Sequence, residues 1–208
     1  MPEKKILFIG NSKKFIESFL IALNCQFYKV VPWREITKIK DLGIDYNIVV
    51  VCGYHHSSYI LNFNEYYNAN ILDPYNFIYK NINKAVTIYY INTSLPKKNQ
   101  TYSRYCYAKH KLCIMLRDEF KNLFSIDIPL LVNEKNDLDF HASFFEKKLA
   151  LLILKLKKYK YIQVNELSDY LKKIIKENPE YLLGDLKAKG LRHRRTRFID
   201  KTLRIVFG

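Results

Sequence analysis

The stretch YNIVVVCGY, residues 46–54, restricts the possible folds of this chain more than any other feature of the sequence. Its centre is continuously apolar and β-branched, and glycine follows directly. Strands with one face in water alternate apolar and polar residues, whereas a continuous apolar run is typical of a strand covered on both faces. The stretch therefore predicts a central strand of a parallel sheet with helices on each side.

Similar apolar runs alternate along the chain with segments of helical spacing. We predict further strands at residues 4–10, 26–33, 84–94 and 124–132, and helices at 12–25, 64–82 and 102–122. Ser12 is placed to cap the first helix, and Pro74 should interrupt or kink the second. Residues 140–160 suggest a long amphipathic helix or a helix plus a strand, and 161–178 a short strand and a helix that begins near 165 or 166. Alternation of this kind predicts an α/β doubly wound parallel sheet.

Composition indicates one folded domain in a reducing compartment. The chain has 208 residues, of which 49% are hydrophobic, enough for a sizeable core. Its four cysteines show no CxxC spacing, so we expect buried, reduced thiols and no metal site. The apolar run near the start is too short for a signal peptide, and no run approaches the roughly 18 residues of a membrane span. We therefore expect a cytoplasmic protein.

The positive charge is concentrated in the last third of the chain. Residues 147–208 hold 17 Lys and Arg against 6 Asp and Glu, a balance of +11, whereas residues 1–146 hold 18 against 14, a balance of +4. An anionic partner should therefore bind the last third.

The stretch RHRRTRFIDKTLR, residues 192–204, allows three interpretations: a solvated helix or partly ordered tail, an interfacial helix, or a site for an anionic glycan, lipid phosphate or nucleic acid. An anionic membrane surface or glycan would bind residues 187–204. An interfacial helix would have an apolar side of Phe198, Ile199, Leu203, Val206 and Phe207. Nucleic acid is the least favoured partner, because no known nucleic-acid motif accompanies the charge.

The first predicted strand ends in a turn that suits a phosphate. Gly10 is followed by Asn11, Ser12 and Lys13, where a standard dinucleotide-binding turn would carry two more glycines. This loop is therefore either a phosphate site built from side chains and backbone or a plain turn between a strand and a helix.

A second set of polar residues follows the strand predicted at 84–94. Thr93 or Ser94 would lie at the tip of that strand, and the next helix carries two tyrosine–lysine pairs of i, i+4 spacing. The pairs are Tyr105 with Lys109 and Tyr107 with Lys111. A nearby ammonium lowers the pKa of a phenol, so either pair could serve as a general acid–base with the hydroxyl beside it.

The order of Gly10, VVVCG (49–53), YYINTS (89–94) and YCYAK (105–109) resembles the short-chain dehydrogenase/reductase (SDR) superfamily. It is most similar to the extended branch of nucleoside-diphosphate-sugar epimerases, dehydratases and reductases, over roughly residues 4–175. The resemblance implies a Rossmann-like fold, with Ser94 polarising the substrate, Tyr105 as acid–base and Lys109 on the cofactor ribose. It favours Tyr105 and Lys109 over the other pair, because a small residue, Ala108, precedes Lys109.

The resemblance also implies a nicotinamide cofactor, NAD or NADP. It would place Gly10, Asn11, Ser12 and Lys13 at the phosphates and Gly53 beside the cofactor. Arg34 would meet the 2′-phosphate of NADP, unless it is a solvated surface arginine.

Two functions follow from these observations. The first is an SDR-like oxidoreductase or epimerase acting on a nucleotide-activated sugar in bacterial surface-polysaccharide synthesis. The second, suggested by the missing glycines, is a catalytically inactive relative that binds an anionic glycan, lipid or the inner membrane surface through its basic segment. We expect a Rossmann-like domain at 1–178, a basic appendage at 179–208, and a homo-oligomer or part of an assembly.

Overall fold

Five parallel strands form one sheet in the computed structural model, which describes residues 4–93, 103–133 and 161–177. The strands are β1 (Lys5–Ile9), β2 (Phe27–Val31), β3 (Ile48–Val51), β4 (Thr87–Thr93) and β5 (Leu123–Ile128). Their order in the sheet is β2-β1-β3-β4-β5. The strand order reverses between β1 and β3, which is where a doubly wound sheet opens its ligand crevice. The predicted Rossmann-like doubly wound sheet is therefore confirmed.

Helices cover both faces of this sheet. The α-helices of the described part are α1 (Lys13–Leu23), α2 (Phe63–Tyr67), α3 (Asp73–Asn81), α4 (Arg104–Glu119) and α5 (Leu167–Glu177). Short 3₁₀ turns span Trp33–Lys38, His56–Ile60 and Val164–Glu166.

Successive residues of a strand enter different cores because their side chains alternate between the faces of the sheet. Ile6 and Phe8 of β1 pack in a cluster with residues of α1 and α5. Leu7 and Ile9 pack in a second cluster, which includes residues of α3 and α4. Two buried faces explain why the strands are continuously apolar.

The strand predicted at 124–132 is wrong in its extent. The chain leaves the main sheet at Ile128 and forms a separate strand, β6 (Leu130–Val132), which pairs in parallel with β7 (Tyr161–Gln163). Pro129 lies between the two strands. Proline has no N–H for a ladder hydrogen bond, so it is a natural point for this division.

Residues 63–81 form consecutive helical elements, and Pro74 does not interrupt them. A π-helical turn, Asn68–Leu72, joins α2 to α3, and Pro74 lies in the first turn of α3. The first turn of a helix tolerates proline. The predicted interruption is therefore a widened turn.

Several predictions concern residues outside the described part of the chain: Ser94, the segment 140–160, the domain boundary near 178 and the basic segment 187–204. Among the described residues, no helix has the length and apolar character needed to cross a membrane. No group of three or more described His, Cys, Asp or Glu side chains is placed to hold a metal ion. All four cysteines lie in the described part, and they are buried and free of disulfides.

Candidate functional site

Two glycines meet at the point where the strand order reverses. Gly10 follows β1 with a φ of +119°, and a side chain there would place its Cβ 2.4 Å from the Gly53 nitrogen. The Gly53 amide, just after β3, donates to the Ile9 carbonyl at 3.0 Å. Gly10 needs glycine because of its positive φ and because the turn after β1 lies directly against the end of β3, whereas a side chain at Gly53 would collide with the Trp33 ring.

The turn that follows Gly10 opens the N-terminus of α1. Asn11 and Lys13 are exposed, and Ser12 occupies the N-cap position in extended conformation without a capping hydrogen bond from its side chain. The first turn of α1 holds no acidic residue. A basic helix N-terminus of this kind suits a phosphate group.

Lys109 extends from α4 to the ends of two central strands. Its side chain is 4% exposed, and Nζ donates to the carbonyl oxygens of Gly53 and Ile91, each at 3.0 Å. Burial lowers the pKa of Lys109 to about 8, against the opposing effect of the Cys52 and Cys113 thiols. The amine is therefore cationic at neutral pH but loses its proton more easily than a solvated lysine.

Tyr105 lies one turn before Lys109 on the same helix. It is half-buried, and its ring meets Tyr54 edge to face with the ring centroids 4.9 Å apart. Tyr54 directly follows Gly53, so the pair of rings adjoins the carboxyl end of β3.

The alternative pair has a different environment. Tyr107 is 7% exposed and packs in a small core with Tyr66, Ile71 and Ala108. Burial raises the pKa of Tyr107. Tyr107 therefore lies in a core cluster, whereas Lys109 of the first pair reaches the strand ends.

The end of β4 is a buried polar cluster. Thr93 is buried, and its amide donates to Asn92 Oδ1 at 2.9 Å. Asn92 Nδ2 lies 3.2 Å from His110 Nδ1 of α4 and 3.3 Å from Ser125 Oγ of β5. These contacts hold the last two residues of β4 against α4 and β5.

Arg34 contacts the loop that follows β3. It is exposed, and Nη2 donates to Ser57 Oγ at 2.7 Å. Burial, and secondarily the charge of Arg34, lowers the pKa of His55. The guanidinium therefore lies at the rim of the crevice, on the side of β2.

Sequence reasoning missed two residues that organise this region. Asn70 Oδ1 accepts from the His55 amide at 2.8 Å, and its Nδ2 donates to Ser58 Oγ at 2.7 Å. Trp33 packs on Gly53: a Cβ at Gly53 would lie 2.1 Å from Trp33 Cε3. Asn70 is one of four asparagines in residues 64–76, and Trp33 is the only tryptophan of the chain. The uniqueness of Trp33, the last residue of the strand predicted at 26–33, was the one usable signal.

The site fits the pyrophosphate and the ribose near Lys109 better than the part of a nicotinamide dinucleotide that would lie near Trp33. The Gly10 turn suits the pyrophosphate, and Lys109 with Tyr105 offers hydrogen-bonding groups at the ends of β3 and β4. The indole of Trp33, in contrast, covers the backbone of Gly53. The residues present can hold the phosphate and ribose on the Lys109 side.

No protein-family model matches the chain, and no curated protein matches its sequence. Solved structures do match its fold. The dTDP-4-dehydrorhamnose reductase of Bacillus anthracis, in complex with NADP, has 12% identity and a TM-score of 0.52, over 86% of this chain and 72% of that one. RMD from Pseudomonas aeruginosa, complexed with NADPH, has 13% identity and a TM-score of 0.51, over 83% and 72%.

ADP-L-glycero-D-manno-heptose-6-epimerase of Helicobacter pylori matches at 11% identity and a TM-score of 0.50, over 84% of this chain and 74% of that one. These proteins are extended SDR-family members. Identities this low establish likeness of fold. The resemblance to the extended branch is therefore confirmed as a resemblance of structure.

Proposed function

We propose that the chain is an SDR-like, NAD(P)-dependent oxidoreductase or epimerase that acts on a nucleotide-activated sugar in bacterial surface-polysaccharide synthesis. The observation that carries the proposal is the position of Lys109, whose Nζ joins the carbonyls at the ends of β3 and β4. The fold shared with two structures that hold NADP and NADPH supports the choice of cofactor.

The chain's own residues would divide the work. The Gly10 turn and the N-terminus of α1 would bind the pyrophosphate, and Arg34 the 2′-phosphate of NADP. Lys109 would hold a ribose hydroxyl, and its charge would favour the tyrosinate form of Tyr105. Tyr105 would pass a proton to or from the sugar oxygen, while Ser94 would donate a hydrogen bond to that oxygen. The bound nicotinamide would supply or accept the hydride.

Calorimetric titration with NAD(H) and NADP(H) tests the cofactor directly. We expect at least one of them to bind the full chain, with NADP favoured because of Arg34. The absence of binding by all of them at millimolar concentration would contradict the proposal.

Tyr105→Phe tests the acid–base role. NADPH oxidation with dTDP-4-dehydrorhamnose as the probe should fall by about 10²–10⁴-fold, because the proton donor is lost, while cofactor affinity stays the same. Tyr107→Phe, which removes a hydroxyl two residues away in a separate core cluster, is the matched control. Equal turnover in Tyr105→Phe and the wild type would show that Tyr105 is not the acid–base.

A second candidate is a non-catalytic relative that keeps the sheet and binds an anionic glycan, lipid or membrane surface. The specific observation in its favour is the contact between Trp33 and Gly53, together with the single glycine of the turn after β1. Its signature would be binding of an anionic glycan, lipid or membrane surface without binding of either cofactor.

A further inference from the structure

The side chain of Trp33 bridges the crevice at the point where the strand order reverses. Trp33 follows β2, whereas Gly53, which its ring contacts, follows β3, and β1 lies between these strands. Trp33 is 6% exposed and belongs to the core cluster that includes Ile9 and Val51. Its indole therefore passes the end of β1 to reach β3.

The indole of Trp33 contacts the backbone of Gly53 directly. A Cβ at Gly53 would lie 2.1 Å from Trp33 Cε3 and 2.7 Å from Cδ2, so the ring lies directly on the backbone. A ligand cannot share this surface with the indole, because atoms in van der Waals contact leave no room between them.

A hydrogen bond fixes the ring in this position. Trp33 Nε1 donates to the Ala69 carbonyl in the π-helical turn at 3.0 Å. The next residue, Asn70, holds the loop after β3 through its bonds to His55 and Ser58. Displacing the indole therefore costs a hydrogen bond as well as the contact with Gly53.

This position coincides with one half of a dinucleotide site. In doubly wound sheets the pyrophosphate lies at the N-terminus of the first helix, and the adenosine ribose lies near the residue that follows the second strand. In this chain those places are the Gly10 turn and the segment 33–35. The adenosine half would therefore lie on the side of the crevice that the indole covers.

We propose that Trp33 closes the adenosine half of the crevice, so that a nicotinamide adenine dinucleotide binds only when the indole moves away. This inference rests on the proposed cofactor. Trp33 thereby becomes a specificity-determining residue: it weakens dinucleotide binding and leaves binding of the nicotinamide mononucleotide half unaffected.

Calorimetric titration of the full chain with NADP⁺ and with nicotinamide mononucleotide tests this, in the wild type and in Trp33→Leu. The variant should bind NADP⁺ at least about tenfold tighter, which corresponds to about 1.4 kcal/mol. Its affinity for the mononucleotide should stay within about twofold of the wild type. Phe77→Leu, a substitution in the same core cluster, is the matched control and should leave both affinities unchanged.

A second measurement needs no variant and so does not depend on the folding of Trp33→Leu. Trp33 is the only tryptophan, so its fluorescence reports its own environment. Saturating NADP⁺ should shift the emission of the wild type to longer wavelength, because the indole leaves a buried site. An emission maximum that does not move in the saturated complex would overturn the inference.

The outcomes separate the two proposals. Equal NADP⁺ affinity in the wild type and Trp33→Leu leaves the proposed function standing and overturns the role of Trp33. Binding by Trp33→Leu alone supports the role of Trp33 and contradicts a dinucleotide-dependent wild type. Binding by neither protein overturns both.

Discussion

Lys109 is a cation almost fully removed from water and held by two neutral carbonyl groups. Burial of an ammonium group costs free energy, and the lowered pKa of about 8 expresses that cost. A protein that keeps such a group sacrifices stability near neutral pH. The position of Nζ, between the ends of two strands, gives a reason to keep it.

Substituting Lys109 by Met should change how stability depends on pH. Between the native pKa of about 8 and the ordinary value of 10.5, the unfolded chain binds a proton that the native protein lacks. The wild type should therefore gain about 2 kcal/mol relative to Lys109→Met between about pH 7 and pH 9.5. Urea unfolding of both proteins at several pH values measures this difference.

Lys111→Met is the matched control, because it removes a lysine from the same helix and keeps Lys109. It should follow the pH dependence of the wild type. A difference between wild type and Lys109→Met that stays constant with pH would show that the amine is not perturbed.

The π-helical turn Asn68–Leu72 is the element that organises the rim of the crevice. It provides the Ala69 carbonyl to Trp33 and the Asn70 side chain to the loop after β3. Turns of this type are rare, occur mostly as single turns, and are frequent at functional sites. Here the turn links Trp33, which follows β2, to the loop that follows β3.

Asn70→Ala should release the loop after β3. The His55 amide and Ser58 Oγ each lose a buried partner, so the free energy of unfolding should fall by about 1–3 kcal/mol. Hydrogen exchange at the His55 amide should accelerate relative to exchange in the sheet. Asn81→Ala, which removes a local bond to the Phe77 carbonyl on α3, is the control. Unchanged protection of the His55 amide would contradict this role of Asn70.

The strands, unlike the rim, are predictable from local sequence. Residues 46–54 indicate a central strand, because burial on both faces requires a continuous apolar run. The Trp33–Gly53 contact joins residues 20 positions apart through the order of the strands, which no local pattern encodes. Asn70 lies among several asparagines in similar sequence surroundings, and only its place in the π-helical turn distinguishes it from them. Pro129 is visible in the sequence, but its effect depends on the pairing of Leu130–Val132 with the distant strand Tyr161–Gln163.

At the scale of the whole molecule, the positive charge is distributed unevenly along the sequence. Most of the net charge of +15 belongs to residues 147–208. The crevice lies at the ends of β1, β3 and β4, all of which precede residue 94. We propose that an anionic surface binds the basic segment 187–204.

Truncation after Lys189 should weaken binding to phosphatidylserine-containing vesicles. The missing residues 190–208 carry six Lys and Arg and one Asp, and each basic residue near an anionic surface contributes about 1 kcal/mol. We expect at least about 100-fold weaker binding by cosedimentation, and loss of the difference at high salt. Vesicles of phosphatidylcholine alone are the control. Equal binding by both chains would contradict the role of this segment.

All four cysteines are buried, so the rate at which a thiol reagent labels each of them reports local opening of the structure around it. A thiol reagent reaches a buried sulfur only when the surrounding structure opens, so each labelling rate measures a local unfolding equilibrium. Cys25 donates to the carbonyls of Lys4 and Phe27 at the β1–β2 side, Cys52 follows β3, and Cys106 and Cys113 lie on α4. The labelling order of these thiols would therefore reveal which part of the crevice wall opens first.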